Sequence, residues 1–556
     1  MNRRSFTIIV AIVLANGALF AAATDLAQRG KEIPGKQTPA HSAESLTLKF
    51  TPTLPAISKE EQLRRETLHV AADELEEEVP ASGTPILGPA GGETVSAPAP
   101  PAGPAPPGGS GPDAPGTFKI WRNSTLSPND SAKATNEPSV GNNGRYVFYT
   151  GNWYAARSVD GGATWGYIDP HADFDLCCDQ DVIYDKSRDL LVWFRLGKTR
   201  KDASDKDISK FRIGVSTNGG ASFCFWNWKT TDFEKAWDLA SWDYPQMALS
   251  NNHLYFTIVV RSAGNLASRK EYYPVLARAS LDTLRSCGNL SWTFWVQDSA
   301  AFGCFAASDK KVSRVWTPVQ GARETMYLGQ TTKDDCFTVW RQREKDTSLE
   351  QFRSSVPAWS ASRTGLTCPL PGGDPCQRTD SRVRAGWVSR NVVGFFWVAA
   401  KGAGFPYPYV EAATFQESDL SRIGRPYIWN KTHAWVWAAA YPNERGGLGI
   451  ATWKMGGGLN PELSAGIADD FSDPPPPWDL KLVARSDAPP AIGKDGKRDD
   501  WGDYLRVRPH LPAGLAWILS GFVSVGPKAN PVAEPHFAIF GRARDSWSVQ
   551  RWWDQP

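Results

Sequence analysis

Acidic residues recur at the head of similar segments along the chain: Glu137, Asp179 with Asp181, Asp243, Asp380 and Asp503. Arginines follow two of them, Arg382 and Arg384 in DSRVR, and Arg506 and Arg508 in DYLRVR. Tyr244 and Tyr504 each directly follow an acid, and Trp242 and Trp501 lie beside the same segments. Carboxylates gathered in one cleft raise one another's proton affinity, the condition for general acid/base chemistry. Arginine forks match a carboxylate-bearing sugar such as a sialic or uronic acid, and the two tryptophans are candidates for stacking on sugar rings. The same residues admit a structural reading. Acids at equivalent positions in packed sheets also cap backbone N–H groups of the next sheet or form Asp–Arg pairs between sheets.

The segments that must position these residues share one pattern: a short polar lead, an apolar run, a turn and a second apolar run. Copies begin at Glu137, Asp179, Asp243, Thr317, Asp380, Trp435 and Asp503, spaced by about 60 residues with no helical period between them. Regular β modules of this length in one unbroken domain predict an all-β fold, a β-propeller with seven blades, six being the alternative. In such a ring the leading residues converge on one rim of a central channel. The 25 Trp, 25 Phe, 49 Gly and 42 Pro against 4 Met fit a turn-rich β protein.

The ends of the chain read differently. Arg3 and Arg4, an apolar run from Phe6 to Ala15 and small residues to Ala23 read as a signal peptide over 1–23, hence a secreted or periplasmic protein with no membrane span. Residues 24–116 lack Trp and contain a Pro-rich stretch, APAPPAGPAPPGGSGP. They read as a low-complexity linker with one possible helix over 59–79, and the propeller domain as 118–556. A formal charge of +2 provides no field for nucleic acid or an anionic membrane. All 8 Cys lie beyond residue 170; disulfides are expected, with Cys368–Cys376 the best pair and different fates for Cys177 and Cys178.

One motif carries a family signal. Ser158-Val159-Asp160-Gly161-Gly162-Ala163-Thr164-Trp165 fits S-x-D-x-G-x-T-W, a looser copy runs from Ser216 to Phe223, and a degenerate third starts at Ser280-Leu281-Asp282. On these residues the domain resembles the sialidase-like superfamily of Asp-box (bacterial neuraminidase repeat) propellers, in particular its exported bacterial members. The resemblance implies a structural role for Ser158, Asp160, Gly162, Thr164 and Trp165 on an outer hairpin. The family's Arg-Ile-Pro motif is missing from the domain start, Phe118-Lys119-Ile120-Trp121-Arg122-Asn123, so its arginine triad is not carried over.

Two functions are expected from these readings. The first is a carbohydrate-active enzyme, a glycoside hydrolase or lyase, on an acidic glycan. The resemblance then implies a tyrosine nucleophile activated by an acid, for which Tyr504 with Glu137 is the candidate pair. Asp181 or Asp243 would be the acid/base, and Arg382, Arg384, Arg506 and Arg508 with Asp179, Asp380, Asp503, Trp242 and Trp501 would bind substrate. A lyase would make His510 a candidate. The second is a non-catalytic propeller that binds a glycan or protein. No G-x-S-x-G, H-E-x-x-H, Walker or dinucleotide fingerprint is present, so no cofactor is expected. Clustered acids leave room for calcium, without a D-x-D-x-D-G loop.

Overall fold

The computed structural model describes residues 27–53, 114–126 and 137–550, apart from 199, 202–206, 238–239, 263–271, 298–314, 334, 361–364, 371–372, 403, 473–477, 491–500, 503 and 529–530. The signal peptide over 1–23, the helix over 59–79 and Asp503 therefore lie outside the described residues.

Six four-stranded antiparallel meanders follow one another among the described residues, and a seventh sheet of three consecutive strands takes its fourth from residues 118–125. Their innermost strands are Ser139–Asn142, Leu176–Asp185, Ala240–Leu249, Thr317–Gln320, Val383–Ser389, Ala434–Pro442 and Arg506–His510. Each touches the next, and Arg506–His510 returns to Ser139–Asn142, so the sheets close into a ring, the arrangement of a β-propeller. They are called blades 1 to 7 below. Each of the seven sequence segments supplies the innermost strand of one blade.

Packing on both faces explains the strand composition. Leu190–Gly197 (LLVWFRLG) is buried at every position, because blades 1 and 3 cover its two sides. Aromatic pairs bridge successive blades: Phe148 and Trp193 at 5.1 Å, Phe194 and Phe256 at 5.8 Å, Phe337 and Phe395 at 5.2 Å, and Trp453 and Phe522 at 5.1 Å between ring centroids. Trp242 and Trp501 belong to these layers. They are 4% and 1% exposed, Trp242 against Phe211 and Phe233 and Trp501 against Phe522, which removes both as sugar platforms.

The N-terminal segment departs most from the sequence reading. Residues 27–53, grouped by composition with the linker, contain three strands. β1 (Gln28–Pro34) pairs antiparallel with the outer strand of blade 4, β2 (Lys36–Gln37) with that of blade 3, and β3 (Glu44–Thr47) with that of blade 2. Thr51 then bridges Tyr167 of blade 1. The segment is a strap that crosses four outer edges in reverse order and gives three of the sheets a fifth strand. β4 (Phe118–Thr125) is the outermost strand of blade 7, paired with Val532–Arg542, so a segment ahead of blade 1 completes the last sheet. Its short runs (KEIP, ESLT) lack a readable period, and their partners are hundreds of residues away, so the strap left no mark in the sequence.

The turn after Ser158 joins the third and fourth strands of blade 1. The Asp160 carboxylate accepts from the N–H groups of Ala163 (3.0 Å) and Thr164 (2.9 Å) and from the Thr164 hydroxyl (2.6 Å), and Ser158 Oγ accepts from Gly162 N–H (2.8 Å). Gly162 sits at φ +89° with Phe537 of blade 7 where a Cβ would be, so only glycine fits. Ser216, Asn218 and Ser222 repeat the turn in blade 2, Ser222 N–H donating to Asn218 Oδ1 at 3.0 Å. The third copy does not: Ser280 caps a short helix, Leu281–Arg285. Asp160→Ala is expected to cost about 1–3 kcal/mol of stability by orphaning those N–H groups, read by urea unfolding, with no change in ligand binding at the channel.

Candidate functional site

Four inner strands are irregular at the rim where they begin. Tyr244 and Pro245 bulge from blade 3 between the pairs Asp243↔Val259 and Gln246↔Thr257. Arg384 is the extra residue in blade 5 and Trp437 in blade 6. In blade 2, Cys177, Cys178 and Asp179 face the single residue Leu196. Tyr244 and Trp437 also hold φ values of +54° and +45°, which side-chain-bearing residues avoid unless their surroundings fix them. Bulges re-aim side chains, and Tyr244, Arg384 and Trp437 all line one narrow chamber between the inner strands.

Arg382, Tyr504 and Arg506 line the same chamber. A second chamber adjoins it and shares Gln246, Arg384, Leu505 and Arg506 as walls. Three arginines and two tyrosines from blades 3, 5 and 7 thus converge. Sequence reasoning missed Gln246 and Trp437, because a bulge within an apolar run carries no composition signal.

The polar contacts separate the acids into distinct roles. The Tyr504 hydroxyl lies 3.4 Å from Asp179 Oδ2, and its ring lies 5.9 Å from that of Tyr244. Arg382 donates to the Tyr244 hydroxyl at 2.5 Å and stacks over that ring at 3.8 Å. Arg506 lies 4.9 Å over the Tyr504 ring. Asp380 pairs with Arg382 and, at 3.0 Å, with Arg384, so it orients the two guanidinium groups. Glu137 instead exchanges hydrogen bonds with Asn152, at 2.8 and 2.9 Å. The pairing of Tyr504 with Glu137 is corrected to Tyr504 with Asp179, since blade 2 presents its acid to blade 7 across the channel. Asp243 accepts from the N–H of Tyr244 at 2.8 Å and is 7% exposed.

Asp181 cannot serve as an acid/base. It is fully buried, and it accepts from Ser139 Oγ (2.7 Å), Met247 N–H (2.8 Å), Arg506 (3.2 Å) and Arg508 (3.3 Å). Burial alone would raise its pKa, but Arg506 and Arg508, with the Ser139 and Met247 donors, hold it below the usual carboxylate range. It ties blades 1, 2, 3 and 7 together, the structural role weighed for these acids. Arg508, 3% exposed and bound to Asp181 and the Val182 carbonyl at 3.2 Å, is a strut of that junction within the wall of the second chamber. A depressed folded pKa lends stability above the unfolded value of about 3.9 and loses it as pH falls. Asp181→Asn is therefore expected to cost about 3–5 kcal/mol at pH 7 and visibly less near pH 3, by urea unfolding; an equal loss at both pH values would contradict this.

His510 leaves the lyase role. It is 3% exposed, and burial, with the charge of Arg122, pushes it down to about 4, which leaves it a weak base.

Three disulfides are described: Cys177–Cys178, Cys224–Cys287 and Cys368–Cys376. The last is the expected pair, while the first joins the neighbours that were expected to part. Among the described residues one group, Cys368, Asp374 and Cys376, has metal-ligand proximity, but its sulfurs are joined to each other.

No protein-family model matches the sequence, and no curated protein does. Among solved structures, the chain is similar to a leech intramolecular trans-sialidase at 9% identity, over 61% of this chain and 68% of that one, with a TM-score of 0.37. It is similar to Trypanosoma rangeli sialidase at 11% identity, over 60% and 58%, with a TM-score of 0.30. A Penicillium chrysogenum α-L-arabinanase matches at 11% identity, over 75% and 98%, with a TM-score of 0.34. Likeness at this level assigns no activity to this chain, and the propeller architecture rests on the strand topology.

Proposed function

We propose that this protein is an exported sialidase-like propeller, a glycoside hydrolase acting on an acidic glycan at the channel rim. One observation carries the reading: the Tyr504 hydroxyl lies 3.4 Å from Asp179, and Tyr504 lines a chamber together with Arg382, Arg384 and Arg506. The guanidinium groups there can receive a sugar carboxylate. Tyr504 attacks the anomeric carbon while Asp179 takes its proton. The glycosidic C–O bond breaks, and Asp243 gives its proton to the leaving oxygen. Water then delivers a proton to Asp243, its oxygen displaces Tyr504 from the sugar, and Asp179 returns the first proton to the phenolate.

A second reading, a non-catalytic glycan binder, is favoured by the charge balance. Arg382 and Arg384 share Asp380, and Arg506 and Arg508 share Asp181, so the guanidinium charges are half matched before any ligand enters. Incubation with methylumbelliferyl glycosides of N-acetylneuraminic and glucuronic acid decides between them. Released fluorophore is the expected result. Retention of the same sugars on a glycan array without release would make the protein a binder, and neither outcome would remove the carbohydrate reading.

A further inference from the structure

The Cys177–Cys178 disulfide sits immediately before Asp179 on the innermost strand of blade 2. Neighbouring side chains on a regular strand point to opposite faces, so their sulfurs meet only if the backbone leaves its extended path. It does so here. Cys177, Cys178 and Asp179 lie opposite Leu196 alone, while Leu176 pairs with Gly197 and Gln180 with Arg195. Cys178 is 1% exposed in the apolar layer between blades 2 and 3, which anchors one side of the ring. The residue leaving the bulge is Asp179, whose carboxylate reaches the Tyr504 hydroxyl of blade 7 at 3.4 Å.

We propose that the Cys177–Cys178 disulfide is a positioning element of the channel rim, holding the bulge that carries Asp179 to Tyr504; its catalytic meaning rests on the glycosidase reading above. A strand freed of the ring can recover regular pairing, and a shift of one residue turns a side chain to the other face. Asp179 then leaves the hydroxyl while Asp181, fixed by Ser139, Met247 and two arginines, stays in place.

The direct test is a crystal structure of the full chain carrying Cys177→Ala and Cys178→Ala. Asp179 is expected beyond hydrogen-bonding reach of Tyr504, more than about 3.5 Å away; a carboxylate still on the hydroxyl would overturn the proposal. Wild-type crystals soaked in dithiothreitol give the same comparison should the double variant not fold. Turnover of methylumbelliferyl N-acetylneuraminide supplies a second readout. The double alanine variant and Asp179→Asn should each lower kcat at least tenfold, and their combination should be no worse than Asp179→Asn alone. Losses that multiply would mean that the disulfide acts elsewhere. If the wild type turns over no glycoside, the glycosidase reading fails, and the crystallographic distance still decides the positioning claim.

Discussion

Tyr504→Phe abolishes turnover of the acidic glycoside, a fall in kcat of roughly a thousandfold or more, while the melting temperature stays within about 2 °C of wild type. The substitution removes one oxygen that approaches Asp179 at 3.4 Å and leaves the ring against Tyr244 and beneath Arg506. Nothing in the surrounding apolar cluster of Tyr244, Val259 and Val315 is lost. Parallel kinetics and thermal melts check it. A large melting loss with little change in kcat would assign Tyr504 to the fold and end the nucleophile reading.

A chain beginning at residue 54 is expected to melt about 5–10 °C below the full chain. The strap covers three sheet edges and carries its own anchors: Ile33 at 8% exposure in the blade 4 core, His41 with its ring tilted against Trp228 at 4.2 Å, and Leu46, Leu48 and Phe50 against the layer between blades 1 and 2. Arg29 adds a 2.7 Å ion pair with Glu350. Losing the strap also exposes the backbone edges of blades 2 to 4, so the truncated chain should self-associate. Ile33→Ala in the full chain isolates one anchor and should cost about 2–5 kcal/mol. Thermal melts with light scattering read both effects; an unchanged melting temperature would make the strap an ornament.

What the sequence disclosed follows from the range of the forces involved. Blade spacing was legible because each blade must bury two faces, which writes an apolar run, a turn and another run into every module. The leading acids and arginines were legible as a set, since the ring brings strand starts to one rim. Their individual roles were not. Asp179 and Asp181 differ by two residues and look equivalent in sequence, yet one faces Tyr504 and the other is saturated by four neighbours from three blades. Trp242 and Trp501 resembled sugar platforms because burial depends on the neighbouring blade, not on the local string. The bulges at Tyr244, Arg384 and Trp437 and the joining of Cys177 to Cys178 depend on register against a partner strand, which no single-strand pattern encodes.

Trapping with fluorinated glycosyl fluorides of N-acetylneuraminic and glucuronic acid, followed by peptide mass spectrometry, reaches the core of this account. A sugar mass on the peptide bearing Tyr504, lost in Tyr504→Phe, is the predicted result. An intact protein that hydrolyses the glycoside without any adduct, or an adduct on a residue away from the channel, would contradict it.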